Sequence, residues 1–206
     1  MLVSLEGNIG SGKSTLLSAL RIMTEGAVFK TATAIVFIDE PVSQWMNIEG
    51  VNMIERFYGE KQRYSFLFQV MAFVTRMEII EDAMNSNPGA IFVTERSLFT
   101  DELFASMLHD DGLMDDVEFN VYKRFAARFE RIRPDITLYL RTDPEVSFQR
   151  CRVRGREGEN ISLEYLQQCH AKHEEWAAVT NPTVLDATAP LEKNAKLFWE
   201  LLFLKN

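Results

Sequence analysis

The sequence predicts an α/β fold, a P-loop nucleotide-binding architecture of three layers in which a five-stranded parallel sheet is flanked by helices. Three observations predict it. The candidate strands are short, continuous apolar runs rather than alternating ones, as in a sheet buried on both faces. Helical stretches separate the strands, the arrangement that leads to parallel pairing. A glycine-rich turn, GNIGSGKS, stands between the first strand and the first helix, the context in which that spacing cradles phosphates.

The elements follow in order. Residues 2–5 are a first apolar strand, and residues 14–25 a helix with Leu16, Leu17 and Leu20 inward. Residues 34–38 form a second strand, stopped at Asp39-Glu40-Pro41, and residues 51–58 a partly amphipathic helix. A long helix over 62–86 ends at NSNPG, where Asn, Pro and Gly break the pattern. Residues 90–96 are a third strand, residues 98–108 and 116–131 two helices, and residues 135–142 a fourth strand. Residues 143–154 read as a helix with Asp143 as cap and Pro144 in the first turn. GREGEN breaks it; a helix over 162–178, a fifth strand over 182–187 and a closing helix over 190–203 complete the chain. With no repeat, low-complexity tract or linker, residues 1–206 are expected to be one domain.

One stretch resists this scheme. FLFQVMAFVTRMEII, in the long helix, is almost wholly apolar yet holds Gln69 and Arg76. Seven residues apart, they share a face two turns apart. A buried guanidinium without a partner is very costly, so that face must open to solvent or meet something polar.

Composition narrows the function. A formal net charge of −8 argues against a general nucleic-acid partner. No run reaches the ~18 apolar residues of a membrane span, and no leader precedes the first strand, so a cytoplasmic protein is expected. Cys151 and Cys169 have no metal-ligand spacing. His170, His173 and Glu174 are expected on a solvated helix surface rather than at a metal.

Chemistry concentrates at strand ends. In the phosphate loop, Gly7, Asn8, Ile9, Gly10, Ser11, Gly12, Lys13, Ser14 and Thr15 are the candidate nucleotide-binding set. Backbone amides and the helix N-terminus would hold phosphate, Lys13 would reach the outer phosphates, and Ser14 would hold Mg²⁺. The loop fixes nucleotide binding and not the reaction, since GTPases, ATPases and small-molecule kinases share it. Ligands of a parallel sheet sit at the carboxyl ends of strands, where Glu40, Glu95, Arg96 and Arg141 fall. Glu40 suits a proton acceptor and Glu95 a metal ligand; Arg96 suits neutralising charge or holding Glu40. Helix capping and surface solubility are the bland alternative. Arg150, Arg152, Arg154 and Arg156 form a basic run that Gly155 and Gly158 loosen. It is a candidate lid at about 150–160 over phosphates, or else a solvated surface.

Together the motifs resemble the deoxynucleoside kinase family, on its deoxycytidine and deoxyguanosine kinase branch. The resemblance rests on EGNIGSGKS, EPVSQW, the FQ of the long helix, ERS, YLRTDPEVSFQR and RGREGE, in order from residue 2 to about 186. It implies a P-loop kinase domain that transfers the γ-phosphoryl of ATP, with Mg²⁺, to the 5'-hydroxyl of a small-molecule deoxynucleoside. It implies that Glu40 is the general base, with Arg96 beside it and Glu95 near Mg²⁺. Tyr58 and Glu159 would hold the 3'-hydroxyl, Gln69 would read the base edge, and Trp45 and Phe68 would wall the base pocket. Arg150, Arg154 and Arg156 would close over the donor phosphates.

Arg76 and Asp101 match the Arg–Asp pair of that branch, which favours deoxyadenosine, deoxycytidine or deoxyguanosine over thymidine. Ala105 stands where relatives usually have a phenylalanine, which would either widen the pocket for a purine or leave Phe104, Met53 or Phe73 to fill the space. The region before IVFIDEP matches nothing strongly. The alternative is a nucleoside monophosphate kinase, which would need arginines for the acceptor's own phosphate. A GTP-dependent switch would want an N-K-x-D, and the sequence has none. A homodimer is expected through the helices at 66–84 and 116–131, the latter carrying Phe119, Tyr122, Phe125 and Phe129.

Overall fold

The computed structural model describes residues 1–25 and 33–204, with side chains as far as Leu202. The stretch before IVFIDEP therefore lies mostly outside the described residues. Five strands, β1 (Leu2–Glu6), β2 (Ile35–Ile38), β3 (Ile91–Glu95), β4 (Ile136–Arg141) and β5 (Thr183–Asp186), form one sheet in the order β2-β3-β1-β4-β5. Every pairing is parallel. β1 lies between β3 and β4, so the chain changes direction across it. The crevice beyond its carboxyl end is the switch point at which such sheets bind ligands.

Both faces of the sheet are covered, which is why the strands read as continuous apolar runs. Val3, Leu5, Val93, Leu138 and Leu140 pack on α1 (Lys13–Glu25) and α9 (Leu191–Leu204), through Leu16, Leu17, Leu20 and Phe198. Leu2, Ile38 and Phe92 pack on the opposite side against α4 (Lys61–Ser86) and α5 (Leu98–Asp110), through Phe73, Met77, Ile80 and Leu108. The same side carries α6 (Asp116–Arg128), whose Tyr122 and Ala126 join that core. Tyr122 was expected on an exposed contact face and is instead buried, while Phe125 is exposed.

The remaining helices frame the crevice. α2 (Val42–Met46) follows Pro41 and is too short to show a period in sequence. α3 (Met53–Gly59) is capped by Asn52, whose side chain accepts from the amides of Ile54 and Glu55 at 3.0 and 3.1 Å. α7 (Pro144–Arg154) begins as the sequence predicts, with Asp143 accepting from the amide of Glu145 at 2.9 Å, and ends at Gly155 in the left-handed conformation (φ +58°). α8 (Leu163–Thr180) lies beside it. The second helix predicted over 116–131 stops at Arg128, and the chain tightens into a single 3₁₀ turn at Glu130–Ile132.

In α4 the buried residues are Ser65, Gln69, Ala72, Phe73, Arg76, Met77 and Ile80. That is one stripe at helical spacing, polar at the end that faces the crevice. The helix is therefore not buried on every side. Among the described residues no helix is long and apolar enough to cross a membrane.

The surface expected for His170 and His173 is corrected in part: His173 is fully buried, and His170 half-buried. The Nδ1 of His173 donates to the carbonyl of Cys169 at 2.6 Å, and its ring stacks on Tyr139 at 5.8 Å. Burial, with the charge of Arg96 adding to it, pushes its pKa down to about 3. The folded chain thus keeps this ring neutral, while the unfolded chain takes up a proton below about pH 6.5. Stability falls as pH drops from there toward 3, by about 2 kcal/mol at pH 5 from this group alone. Burial raises the buried carboxyl of Asp101 to about 6, which works in the opposite sense. The test is therefore a difference: urea unfolding of the wild type and of His173→Phe from pH 7 to pH 5. The wild type is expected to lose about 2 kcal/mol more than the variant.

Candidate functional site

β1 runs directly into the phosphate loop, and Gly10 shows why the loop needs glycine. It sits at φ +77°, and a Cβ there would lie 2.5 Å from the carbonyl oxygen of Ser147 and 2.7 Å from Cys151 Sγ. The loop and α7 are thus in direct contact. Asn8 anchors the other side, its side chain donating to the carbonyl of Leu166 in α8 at 2.8 Å. Arg150 of α7 donates to the carbonyls of Ser11 at 2.9 Å and Ala187 at 3.1 Å. Lys13 is buried, with Nζ on the carbonyls of Asn8 at 2.8 Å and Gly7 at 3.1 Å. Burial, helped by the charge of Arg96, pushes it down to about 7 against the pull of Glu95, Glu40 and Glu6. The hydroxyl of Ser14 donates to Glu95 Oε1 at 3.1 Å.

The second centre is built by elements far apart in sequence. Arg76 of α4 donates through Nε to both oxygens of Asp101 at 3.2 and 3.0 Å, through Nη1 to the carbonyl of Glu95 at 3.2 Å, and through Nη2 to Glu40 Oε1 at 2.9 Å. Arg96 Nε lies 3.2 Å from the same Glu40 oxygen. Burial alone would raise Glu40, but Arg96, Arg76 and Lys13 together hold its carboxyl down at about 2. For Asp101 burial outweighs the attraction of Arg76, and the carboxyl rises to about 6. Arg76 itself is held above the usual guanidinium range, because Asp101 and Glu40 outweigh its burial.

Aromatic side chains wall this end. Phe68 stacks on Phe57 at 4.8 Å and meets Trp45 edge-on at 5.8 Å, while the Arg76 guanidinium lies 5.5 Å over the Trp45 ring. Trp45 is fixed by its indole N–H, which donates to Thr75 at 2.9 Å. Gln69 is buried beside them. Burial, followed by the negative charge of Glu159, pushes Tyr58 well above its ordinary range.

Both centres open into one cavity of about 780 Å³, the size of a small-molecule site. Of the predicted residues, Ile9 through Thr15 line its donor end together with Arg150, Arg154 and Arg156. Glu40, Trp45, Tyr58, Phe68, Gln69, Arg76, Glu95, Arg96, Asp101 and Glu159 line the rest. Gly7 and Asn8 support the loop without lining the cavity. Arg141 and Asp39 do not belong to the site: Arg141 pairs with Glu174 at 2.7 Å and Asp39 with Arg21 at 2.7 Å, both on the surface. Ala105 is fully buried and does not line the cavity: it packs in the same apolar core as Phe73, Met53 is also buried, and Phe104 lines the cavity.

The basic run divides. Arg152 leans outward over Phe148. Arg154 and Arg156 both pair with Glu159, Arg156 at 3.0 Å. Gly158 does not loosen the segment as its sequence suggests. A Cβ there would fall 2.6 Å from Glu55 Cβ, so the loop is pressed onto α3.

Sequence reasoning missed two parts of the site. The Arg76–Glu40 contact links residues 36 apart with no motif between them. Ala187, Ala189, Leu191 and Asn194 line the far donor end, and such small or neutral residues carry no chemical signature.

The family model described as deoxynucleoside kinase matches residues 3–197. A probable deoxycytidine kinase of fowlpox virus (strain NVSL) is 36% identical over 184 residues, 87% of this chain and 72% of that protein. Rattus norvegicus deoxycytidine kinase is 30% identical over 200 residues, 84% of this chain and 74% of the relative. Human mitochondrial thymidine kinase 2 is 32% identical over 179 residues, 84% of this chain and 63% of the relative. Among solved structures, deoxyadenosine kinase from M. mycoides, with the products dCMP and a flexible dCDP bound, superposes with a TM-score of 0.79 at 24% identity, covering 98% of this chain and 99% of that one. That likeness shows the fold alone. With a family model spanning residues 3–197, the chain belongs to the deoxynucleoside kinase family.

Proposed function

We propose that this protein transfers the γ-phosphoryl of ATP to the 5'-hydroxyl of a deoxyribonucleoside, with deoxyadenosine, deoxycytidine or deoxyguanosine preferred to thymidine. One observation carries it: a single cavity joins the phosphate loop to a buried polar cluster of Gln69, Arg76 and Asp101, with Glu40 in range of both Lys13 and Arg76.

Glu40 is the proposed proton acceptor. Both arginines hold its Oε1, which leaves Oε2 to accept a hydrogen bond from the 5'-hydroxyl. As the hydroxyl oxygen bonds to the γ-phosphorus and the bond to the β–γ bridging oxygen breaks, the proton passes to this carboxylate. A carboxyl near 2 is a weak base. It suits a loose transition state, in which the hydroxyl becomes acidic only late. Lys13 exchanges its loop carbonyls for phosphate oxygens, whose charge restores the proton that burial loosens.

Ser14 and Glu95, two oxygen donors 3.1 Å apart, fit an ion that keeps most of its waters, and would hold Mg²⁺. When bound, Mg²⁺ neutralises charge between the outer phosphates. Tyr58 and Glu159 would take the 3'-hydroxyl. A nucleoside monophosphate kinase would need a cation for the acceptor phosphate, and both acceptor-side arginines are already paired to carboxylates.

The chain is further proposed to act as a single kinase domain, with its lid at 150–160, in a homodimer. Val117, Val121 and Phe125 form an exposed apolar stripe on α6, and Leu67 is exposed on α4, a pattern typical of subunit contacts.

Three measurements test this. Offered ATP and each deoxyribonucleoside beside its monophosphate, the protein is expected to phosphorylate deoxyadenosine, deoxycytidine or deoxyguanosine faster than thymidine. Turnover of monophosphates alone would overturn the assignment. Glu40→Gln is expected to lower kcat by about 10²- to 10⁴-fold while ATP still binds; an unchanged kcat removes Glu40 as the base. Phe125→Glu is expected to shift sedimentation from dimer to monomer, and a wild type that already sediments as a monomer contradicts the dimer.

A further inference from the structure

Seven consecutive residues, 95–101, carry three of the site's charged side chains: Glu95, Arg96 and Asp101. Between them stand Ser97 and Thr100, and both hydroxyls donate to one carboxylate, that of Glu6. Glu6 is the last residue of β1, on the face opposite Val3 and Leu5, and the phosphate loop begins at the next residue. It is 1% exposed, and among the described residues it forms no ion pair. A buried, unpaired carboxylate is a costly way to fill space. What it offers is two acceptor oxygens at fixed spacing, matched to two hydroxyl donors. Ser97 Oγ also accepts from the amide of Phe99 at 3.3 Å, so its proton is directed to Glu6.

The segment being held is strained. Arg96 sits at φ +67°, a region that a residue with a side chain occupies only where its surroundings impose it. Its amide donates to the carbonyl of Leu5 at 3.0 Å, and its carbonyl accepts from Thr94 Oγ1 at 3.0 Å. Glu6 fixes the residue that follows. The geometry points to Glu6 as a positioning residue: through Ser97 and Thr100 it sets the 95–101 segment, and with it the reach of Arg96 to Glu40 and of Asp101 to Arg76. The inference rests on the proposed kinase function for its consequence in turnover, and on geometry alone for the clamp itself.

Thr100→Val, Thr100→Ser and Glu6→Gln test it. Valine keeps the shape of threonine and removes the hydroxyl; serine keeps the hydroxyl. Thr100→Val is expected to lower kcat by about tenfold with ATP affinity little changed, and Thr100→Ser to retain most of the wild-type rate. As Arg96 drifts from Glu40, the acid limb of the kcat profile is expected to move to higher pH. A stability defect in a folded enzyme would not produce that shift. A crystal structure of Thr100→Val reads the clamp without turnover: Arg96 Nε, 3.2 Å from Glu40 here, is expected beyond ~4 Å.

An unmoved Arg96 in that structure overturns the inference, as does Thr100→Ser impaired equally with Thr100→Val. Should Glu6→Gln not fold, Thr100→Val decides. Absence of wild-type turnover on every deoxyribonucleoside would defeat the functional assignment instead, and the crystal structure would still judge the clamp.

Discussion

The guanidinium of Arg76 is the group on which the acceptor end depends. It is 2% exposed and ties together four pieces of backbone: α4, from which it projects, α5 through Asp101, the end of β2 through Glu40, and the end of β3 through the carbonyl of Glu95. Alone, a buried guanidinium would be untenable. Shared between two carboxylates it forms a network whose members are hard to remove one at a time, since breaking a buried pair costs about 3–5 kcal/mol. Arg76, Arg96, Glu40 and Asp101 sum to zero charge. That network is therefore polar without net charge, which under the proposed function suits an uncharged acceptor.

The network also links recognition to chemistry. Under the proposed function, Asp101 and Gln69 would read the base and Glu40 would take the proton. Arg76 touches Glu40 and Asp101 at once. A base that draws on the Arg76 donors alters the charge seen by Glu40, whose low pKa depends on that neighbour. Under that proposal, specificity and basicity would not be separable properties of this site. A change made at Asp101 would then be felt at Glu40 through their shared partner Arg76.

What was legible in the sequence is what is contiguous or periodic. The phosphate loop is one short string, and its Gly10 sits where the loop meets α7. The strands showed as apolar runs because helices cover both faces, and the Arg76–Asp101 pair came from a resemblance at matching positions. What was not legible depends on three-dimensional convergence. Nothing in the chain links Arg76 to Glu40, and α2, five residues long, is too short to show a repeating pattern. His173 looked like a solvated histidine; only the packing of α8 against Tyr139 of β4 puts it in the core. Gly158 looked like a hinge, yet the nearness of Glu55 makes it a contact.

That contact bears on how the proposed lid would work. Gly158 is pressed against Glu55 in the first turn of α3, and Asn52, which caps α3, also donates to the carbonyl of Glu157 at 3.4 Å. Tyr58 lies on the same helix. The loop proposed as the lid is therefore in direct contact with the helix that carries Tyr58. Within that loop Glu159 takes ion pairs from both Arg154 and Arg156. An arginine drawn toward donor phosphates leaves this carboxylate short of a hydrogen-bond donor in a buried position, where the deficit is expensive. A hydroxyl on the acceptor sugar supplies it. Under the proposed function, the donor phosphates and the acceptor hydroxyl therefore favour each other's binding through one carboxylate, with no movement required beyond the arginines of the lid.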